Sequence, residues 1–310
     1  MPELPEVEVA ARNLRRWGLK KKVRTARPDP RAKRIFRPAG PKALEALAGR
    51  RLGDVRRIGK NLLLTFEEYE PIASTKLGSA ERRHRGRARE PSQGSRKIGV
   101  WSHLGMTGKW LRRAERDATP PATRVELDLD DGTRLAYVDR RMFGRFQIVP
   151  DARFTDIAEI AALGPDPLAD GIDVKAFGER LSRIKTPIKV ALLDQTLLAG
   201  VGNIQASESL FRAKIDPRRP ARALSPAEVK RLAAGIRASI DFTLKSFKQV
   251  GADGGDADIG YVEERTMENP FLVYGREGAP CPGRHPGKKS TIVRIVQAQR
   301  ATFFCPACQE

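Results

Sequence analysis

The chain has 310 residues, 40% of them hydrophobic, enough for two or three units with cores of their own. No apolar run approaches the roughly 18 residues a membrane span needs, and the start Met-Pro-Glu-Leu-Pro-Glu is not a secretory signal, so a soluble intracellular chain is expected. Lys and Arg number 58 against 38 Asp and Glu, a formal net charge of +20, and this excess favours a polyanion, because each neutralised phosphate releases condensed counterion.

The first segment reads as a helix. Val7, Ala11 and Leu14 fall at i, i+4 and i+7 and give one apolar face. Glu3, Glu6 and Glu8 come early and Arg15, Arg16 and Lys20 to Lys22 late, an order that suits the helix dipole. From about 50 to 148 the pattern turns to strands. Leu62-Leu63-Leu64 and Val100-Trp101 are short apolar runs, and Val125, Leu127 and Leu129 alternate up to Asp131-Gly132, a hairpin signal, before Leu135 and Tyr137 resume. Residues 74–98 interrupt this pattern with a basic, Ser- and Gly-containing stretch that reads as a solvated insertion. Pro150, Pro165, Pro167, Gly164 and Gly171 mark 150–172 as a linker. Helices follow: Thr186-Pro187 reads as an N-cap with Pro at the first helical position, and Ser225-Pro226-Ala227-Glu228 as a capping box ahead of Val229, Leu232, Ile236 and Ile240.

All three cysteines lie in the last 30 residues, an odd and clustered set that argues against a disulfide framework. Cys305-Pro-Ala-Cys308 is a good zinc half-site, and Cys281 with His285 supplies the other half at a wider spacing. Ile292 to Val296 and Phe303-Phe304 would be the strands of a finger hairpin, with Arg300 near its turn.

Pro2 is an ordinary terminal proline when taken alone. Its chemistry is notable, however: removal of Met1 leaves a secondary α-amine, and α-amines titrate at about 7.7–8.0. Such an amine is partly unprotonated near neutrality and can attack a sugar C1′ to form an iminium. Glu3 beside it can shuttle protons.

Six segments in order raise the specificity of this reading. Met1 to Glu8, Gly59-Lys60-Asn61-Leu62-Leu63-Leu64, Ser102-His103-Leu104-Gly105-Met106-Thr107-Gly108, Asp139 to Gly144, Leu198 to Ile204 and Gln299 to Cys305 together resemble the motifs of the formamidopyrimidine-DNA glycosylase family, over nearly the whole chain.

The resemblance implies an α+β fold. It consists of an N-terminal two-layered β-sandwich with a flanking helix (1–149, with the basic insertion 74–98), the linker 150–172, a helical helix–two-turn–helix domain (173–262) and a C-terminal zinc-finger hairpin (263–310). It implies Pro2 as the Schiff-base nucleophile, Glu3 as the acid that assists sugar ring opening, Lys60 as the basic residue on a turn facing the lesion, and Glu6 facing the same pocket. Met106, Arg141 and Phe143 would fill the void left by an extruded nucleotide. Lys189, Asn203 and the backbone N–H groups of Gly200-Val201-Gly202-Asn203 would bind phosphate, as would Arg300, which would also help leaving groups depart. One structural Zn²⁺ would be held by Cys281, His285, Cys305 and Cys308.

The implied activity is a base-excision-repair glycosylase with AP lyase activity, acting on oxidised purines in damaged double-stranded DNA as a cytoplasmic, nucleoid-associated monomer. An endonuclease VIII-like enzyme for oxidised pyrimidines and a non-catalytic damage binder are the alternatives. Three departures stand out. His285 replaces a family Cys, Met142 stands where relatives often have Arg, and 251–261 lacks the family wording of the loop over the extruded base.

Overall fold

The expected first helix, α1, runs from Leu4 to Gly18. Val7, Ala10, Ala11, Leu14 and Trp17 are each at most 2% exposed along its inner face, and burying Leu14 alone is worth ~2 kcal/mol. The helix ends before the lysines: Lys20 adopts a positive φ, so Lys20 to Lys22 lie beyond the dipole they were expected to complement. The computed structural model describes residues 2–68, 97–250, 269–283, 285 and 290–310, without the side chains of 248–250. The basic insertion, apart from its last two residues, and the 251–261 stretch lie outside the described residues.

Eight strands follow: β1 (Val23–Pro28), β2 (Arg50–Ile58), β3 (Asn61–Glu68), β4 (Ile98–His103), β5 (Lys109–Ala114), β6 (Thr123–Leu129), β7 (Thr133–Val138) and β8 (Arg145–Pro150). They form two antiparallel sheets, ordered β1-β6-β7-β5 and β2-β3-β4-β8. Asp131-Gly132 does turn β6 into β7. Leu127, Leu135 and Trp110 from one sheet meet Leu52, Leu64 and Phe146 from the other, and α1 closes the same core. This is the sandwich expected from the sequence.

The stretch after β8 is less free than a linker. Phe154, Ile157 and Ile160, around the short helix α2 (Ala158–Ala161), pack on Leu63, Trp101 and Val149 and cover the outer face of the second sheet.

The helical part comprises α3 (Val174–Leu181), α4 (Ile188–Ala191), α5 (Asn203–Ala213) and α6 (Pro226–Val250). Asp173 caps α3 with two backbone N–H bonds. The Ser225–Glu228 box caps α6, with the Ser225 N–H donating to Glu228 Oε2 at 2.7 Å. The start of α4 differs from expectation. Pro187 precedes the helix rather than opening it, and Thr186 turns its carbonyl to the Ala221 N–H. Leu4 belongs to this second core, beside Leu197, Val201 and Leu210. The N-terminus is thus anchored in the helical domain, while Val7, Ala10, Ala11, Leu14 and Trp17 of α1 belong to the sandwich and Val9 packs on both cores.

The hairpin β9 (Val293–Gln297) and β10 (Arg300–Phe304) completes the fold. It is fixed to the end of α5 by Gln309, whose amide donates to the Ile215 carbonyl at 2.8 Å. No helix of the described residues is long and apolar enough to cross a membrane.

Candidate active site

Pro2 is buried where the sandwich meets the helical domain. Two contacts hold it there. The Leu4 N–H donates to the Gly200 carbonyl at 3.1 Å, and the Glu3 carboxylate accepts from the N–H groups of Ile204 (2.8 Å) and Gln205 (3.0 Å), the first turn of α5. A helix N-terminus favours an anion. Here that anion is Glu3 itself, which takes the N–H groups of Ile204 and Gln205, the two that follow the Gly200 to Asn203 turn. The glycines make the approach possible: a Cβ on Gly202 would sit 2.3 Å from Glu3 Cδ, and Gly200 has φ +95° with Leu4 Cβ 2.7 Å from where its own Cβ would be.

Glu6 lies one turn after Glu3 and accepts the Glu3 N–H at 2.9 Å. Its burial, and the nearby Glu3 charge, push its pKa from the ordinary 4.5 up to about 7. The folded chain therefore holds a proton that the unfolded chain releases from about pH 4.5 upward. Stability due to this group is complete below pH 4.5, falls as pH rises to about 7, and is flat beyond. Glu6→Gln is expected to lose that slope and to exceed the parent in stability above pH 7, as read by urea unfolding of the two proteins across pH. A parallel pH dependence in both would refute it.

The other basic residues converge on the same place. Burial lowers the Lys60 pKa, opposed by the Glu3 and Glu6 charges and reinforced by Arg300. Lys189 is fully buried, its ammonium has no hydrogen-bond partner among the described residues, and burial plus Arg300 bring its pKa to about 8. Glu3, Glu6, Lys60, Lys189 and Arg300 thus form one electrostatic unit. A buried ammonium without a partner is costly, and an oxyanion would satisfy it.

The turn carrying Lys60 is held from the linker. Asp166 and Arg57 form a buried two-point ion pair, with Nη2 to Oδ1 at 3.0 Å. Asp166 Oδ2 also accepts the Gly59 N–H at 2.7 Å, and Arg57 Nη1 donates to the Gly59 carbonyl at 3.0 Å. Both polar groups of the residue before Lys60 are therefore fixed. Nothing in the local sequence signals this, since the partners are 109 positions apart.

Met106 and Phe143 lie on two loops packed back to back. A Cβ on Gly105 would lie 2.3 Å from the Phe143 carbonyl carbon, and one on Gly144 would lie 2.0 Å from Tyr137 Oη. Asp139, fully buried, ties the loops together: it accepts from Thr107 Oγ1 (2.6 Å) and from the N–H groups of Arg141 (3.2 Å) and Gly144 (2.8 Å). Met106 is half-buried, whereas Arg141 and Phe143 are exposed. His103, inside the quoted motif but given no role by it, sits at the end of β4 opposite Asn61 and Arg145. Its Nδ1 accepts the Gly105 N–H at 3.0 Å, and burial together with Lys60 and Arg145 lowers its pKa to about 4. It is therefore a neutral Nε2–H donor at working pH.

Asn203 opens α5 and donates its amide to the Ala301 carbonyl at 2.8 Å, joining this helix to β10. One amide hydrogen remains for a phosphate. Arg300, the first residue of β10, is exposed. Behind the hairpin, the ligand atoms of Cys281, His285, Cys305 and Cys308 lie within 4.8 Å of one another. Cys281 Sγ is 3.5 Å from Cys308 Sγ, and His285 Nε2 is 3.6 Å from the sulfurs of both Cys305 and Cys308. A tetrahedral ion with metal–sulfur bonds of ~2.3 Å sets ligand edges near 3.8 Å, so the four residues fit a metal of that kind.

Residues 1–146 match the family model for the formamidopyrimidine-DNA glycosylase N-terminal domain, and residues 163–250 that for the formamidopyrimidine-DNA glycosylase H2TH domain. The formamidopyrimidine-DNA glycosylase of Paracoccus denitrificans is 36% identical over 320 residues, covering 100% of both chains. That of Chloroflexus aurantiacus is 34% identical, covering 100% of this chain and 98% of the relative. The chain belongs to the formamidopyrimidine-DNA glycosylase family. Its fold is similar to that of the family protein from Thermus thermophilus (TM-score 0.72, 33% identity, 99% and 98% of the two chains). It is also similar to a MutM protein in complex with DNA containing carbocyclic 8-oxo-G (TM-score 0.76, 26% identity, 100% of both chains). The family architecture thus accounts for the sandwich, the helical region and the Cys/His cluster.

Proposed function

We propose that this chain is a base-excision-repair DNA glycosylase with AP lyase activity that removes oxidised purines, 8-oxoguanine and formamidopyrimidines, from duplex DNA. The convergence of Glu3, Glu6, Lys60, Lys189 and Arg300 beside Pro2 carries the reading. The relatives named formamidopyrimidine-DNA glycosylase and the neighbour bound to 8-oxo-G DNA support the substrate class. The same division of the chain applies: a catalytic sandwich over 1–149, the linker 150–172, DNA-binding helices over 173–262 and a finger over 263–310. It acts as a monomer in the bacterial cytoplasm, at the nucleoid.

In this mechanism the wedge residues Met106, Arg141 and Phe143 fill the gap while the damaged nucleotide swings out. With Met1 removed, the Pro2 nitrogen attacks C1′, the N-glycosidic bond breaks, and the base leaves with a proton. Glu6, titrating near neutrality, is placed to take the proton from the Pro2 amine. Glu3, anchored on the first turn of α5, carries protons to and from the sugar as its ring opens. Loss of a C2′ proton then expels the 3′ phosphate, and a second elimination expels the 5′ phosphate. Lys189, Asn203, Lys60 and Arg300 hold these phosphates and the developing charge.

Borohydride trapping tests the reading. The Met1-processed chain should form a covalent adduct with an 8-oxoguanine duplex, and a chain with one added N-terminal residue should form none. No adduct from the processed chain would refute the enzyme, and adducts with oxidised pyrimidine alone would refute the purine assignment.

We also propose that the Cys/His cluster holds one structural zinc, supported by its edge lengths. The ion neutralises thiolate charge and fixes the hairpin bearing Arg300; it takes no part in bond breaking. Elemental analysis is expected to return one zinc per chain, and His285→Ala to lower that content and weaken DNA binding. Well under one zinc in the parent would refute the ligand set.

A further inference from the structure

Phe143 is 41% exposed, the only aromatic among the large hydrophobic residues left exposed in the described chain. The guanidinium of Arg141 lies 5.0 Å from its ring centroid. A second guanidinium, that of Arg34, is closer, at 4.7 Å. Arg34 comes from a short 3-10 helix, Lys33–Ile35, between β1 and β2, over a hundred residues away from the wedge in sequence.

Its position is fixed by its neighbours. Ala32 and Ile35 are fully buried and Phe36 is 5% exposed. Phe36 bridges Phe146 in parallel, and the Arg37 N–H donates to the Phe146 carbonyl at 3.1 Å. The platform bearing Arg34 is therefore joined to β8, the strand that begins two residues after Phe143. Arg34 itself is exposed. Among the described residues neither Arg34 nor Arg141 has a carboxylate partner for its guanidinium. What holds Arg34 in place is the face of the ring, an interaction strongest for planar, weakly hydrated cations.

We propose that Arg34 is a positioning residue for the wedge. It fixes the Phe143 ring in an orientation ready to enter the base stack, and so lowers the conformational entropy lost on insertion. This rests on the excision reading above. The sequence gives no hint of it, because an exposed Arg in a basic chain looks like any other surface charge.

The test is a double-mutant cycle on the full-length chain, with R34A, F143A and the double variant. The wedge-insertion rate is read from 2-aminopurine fluorescence opposite an oxidised purine, alongside single-turnover excision. R34A is expected to slow insertion about fivefold and raise KM with little change in kcat, while R34K falls between R34A and the parent. In the F143A background, R34A should cost less than twofold. An equal loss in both backgrounds would make Arg34 a separate charge contact and overturn the proposal, as would no loss at all or a melting temperature that falls with the rate. Borohydride trapping of the parent on the same duplex separates the two readings. Without that adduct the excision reading fails; with it, an additive cycle refutes Arg34 alone.

Discussion

Glu3→Gln is expected to lower base excision by at least about a hundredfold, the low end of what a positioned proton carrier contributes. The substitution removes two things at once. The carboxylate accepts both the Ile204 and Gln205 N–H groups, whereas an amide offers one acceptor and turns an NH₂ toward a donor. Leaving a buried N–H unpaired costs about 1–3 kcal/mol, so urea unfolding should show a loss in that range. The second effect is electrostatic. Glu3 raises the Lys60 pKa against burial, so without it Lys60 should titrate at lower pH, and any limb of the pH–rate profile of strand cleavage that follows Lys60 should move to lower pH. Glu3→Asp keeps the charge but is one methylene short of the helix terminus, and should fall between. Excision within tenfold of the parent in a folded Glu3→Gln protein would remove Glu3 from the chemistry.

What the sequence made legible and what it hid divide along contact distance. The inner face of α1 was readable because Val7, Ala11 and Leu14 repeat with the helical period. The β6–β7 hairpin was readable because Asp131-Gly132 sits between alternating strands, and the cysteine spacing pointed to the cluster of four side chains that could hold a metal ion, His285 included. These signals are local. Asp139, whose carboxylate joins both wedge loops, was not legible, since its partners Thr107 and Gly144 come from separate segments. The anion on α5 was also hidden. A Gly-rich turn before a helix reads as a phosphate site, and only the folded chain reveals that Glu3 takes the next two N–H groups, those of Ile204 and Gln205. Lys189 was expected to bind phosphate, but its complete burial was not legible in the sequence. A charge that the sequence presents as ordinary becomes, through tertiary packing alone, an amine of lowered pKa.

The same reasoning gives the largest expected effect on stability. Asp166→Ala would leave Arg57, 8% exposed, paired with Glu8 alone, and would strip the Gly59 N–H of its acceptor. Breaking one partner of a buried ion pair costs about 3–5 kcal/mol, because the remaining charge stays desolvated. Replacing both partners with apolar residues, as in Arg57→Met with Asp166→Leu, should recover much of that loss. The pair would then be revealed as a register device more than a source of net stability. Activity should not recover with stability. Lys60 follows directly on Gly59, whose N–H and carbonyl are both held by this pair, and a catalytic group displaced by about 1 Å can lose a hundredfold in rate. Asp166→Asn, which keeps one acceptor for the Gly59 N–H, should retain more excision than Asp166→Ala at equal protein stability. Urea unfolding and single-turnover excision on the four proteins decide it. A loss below about 1 kcal/mol for Asp166→Ala, or activity that returns in step with stability in the double variant, would show that the linker does not position the Lys60 turn.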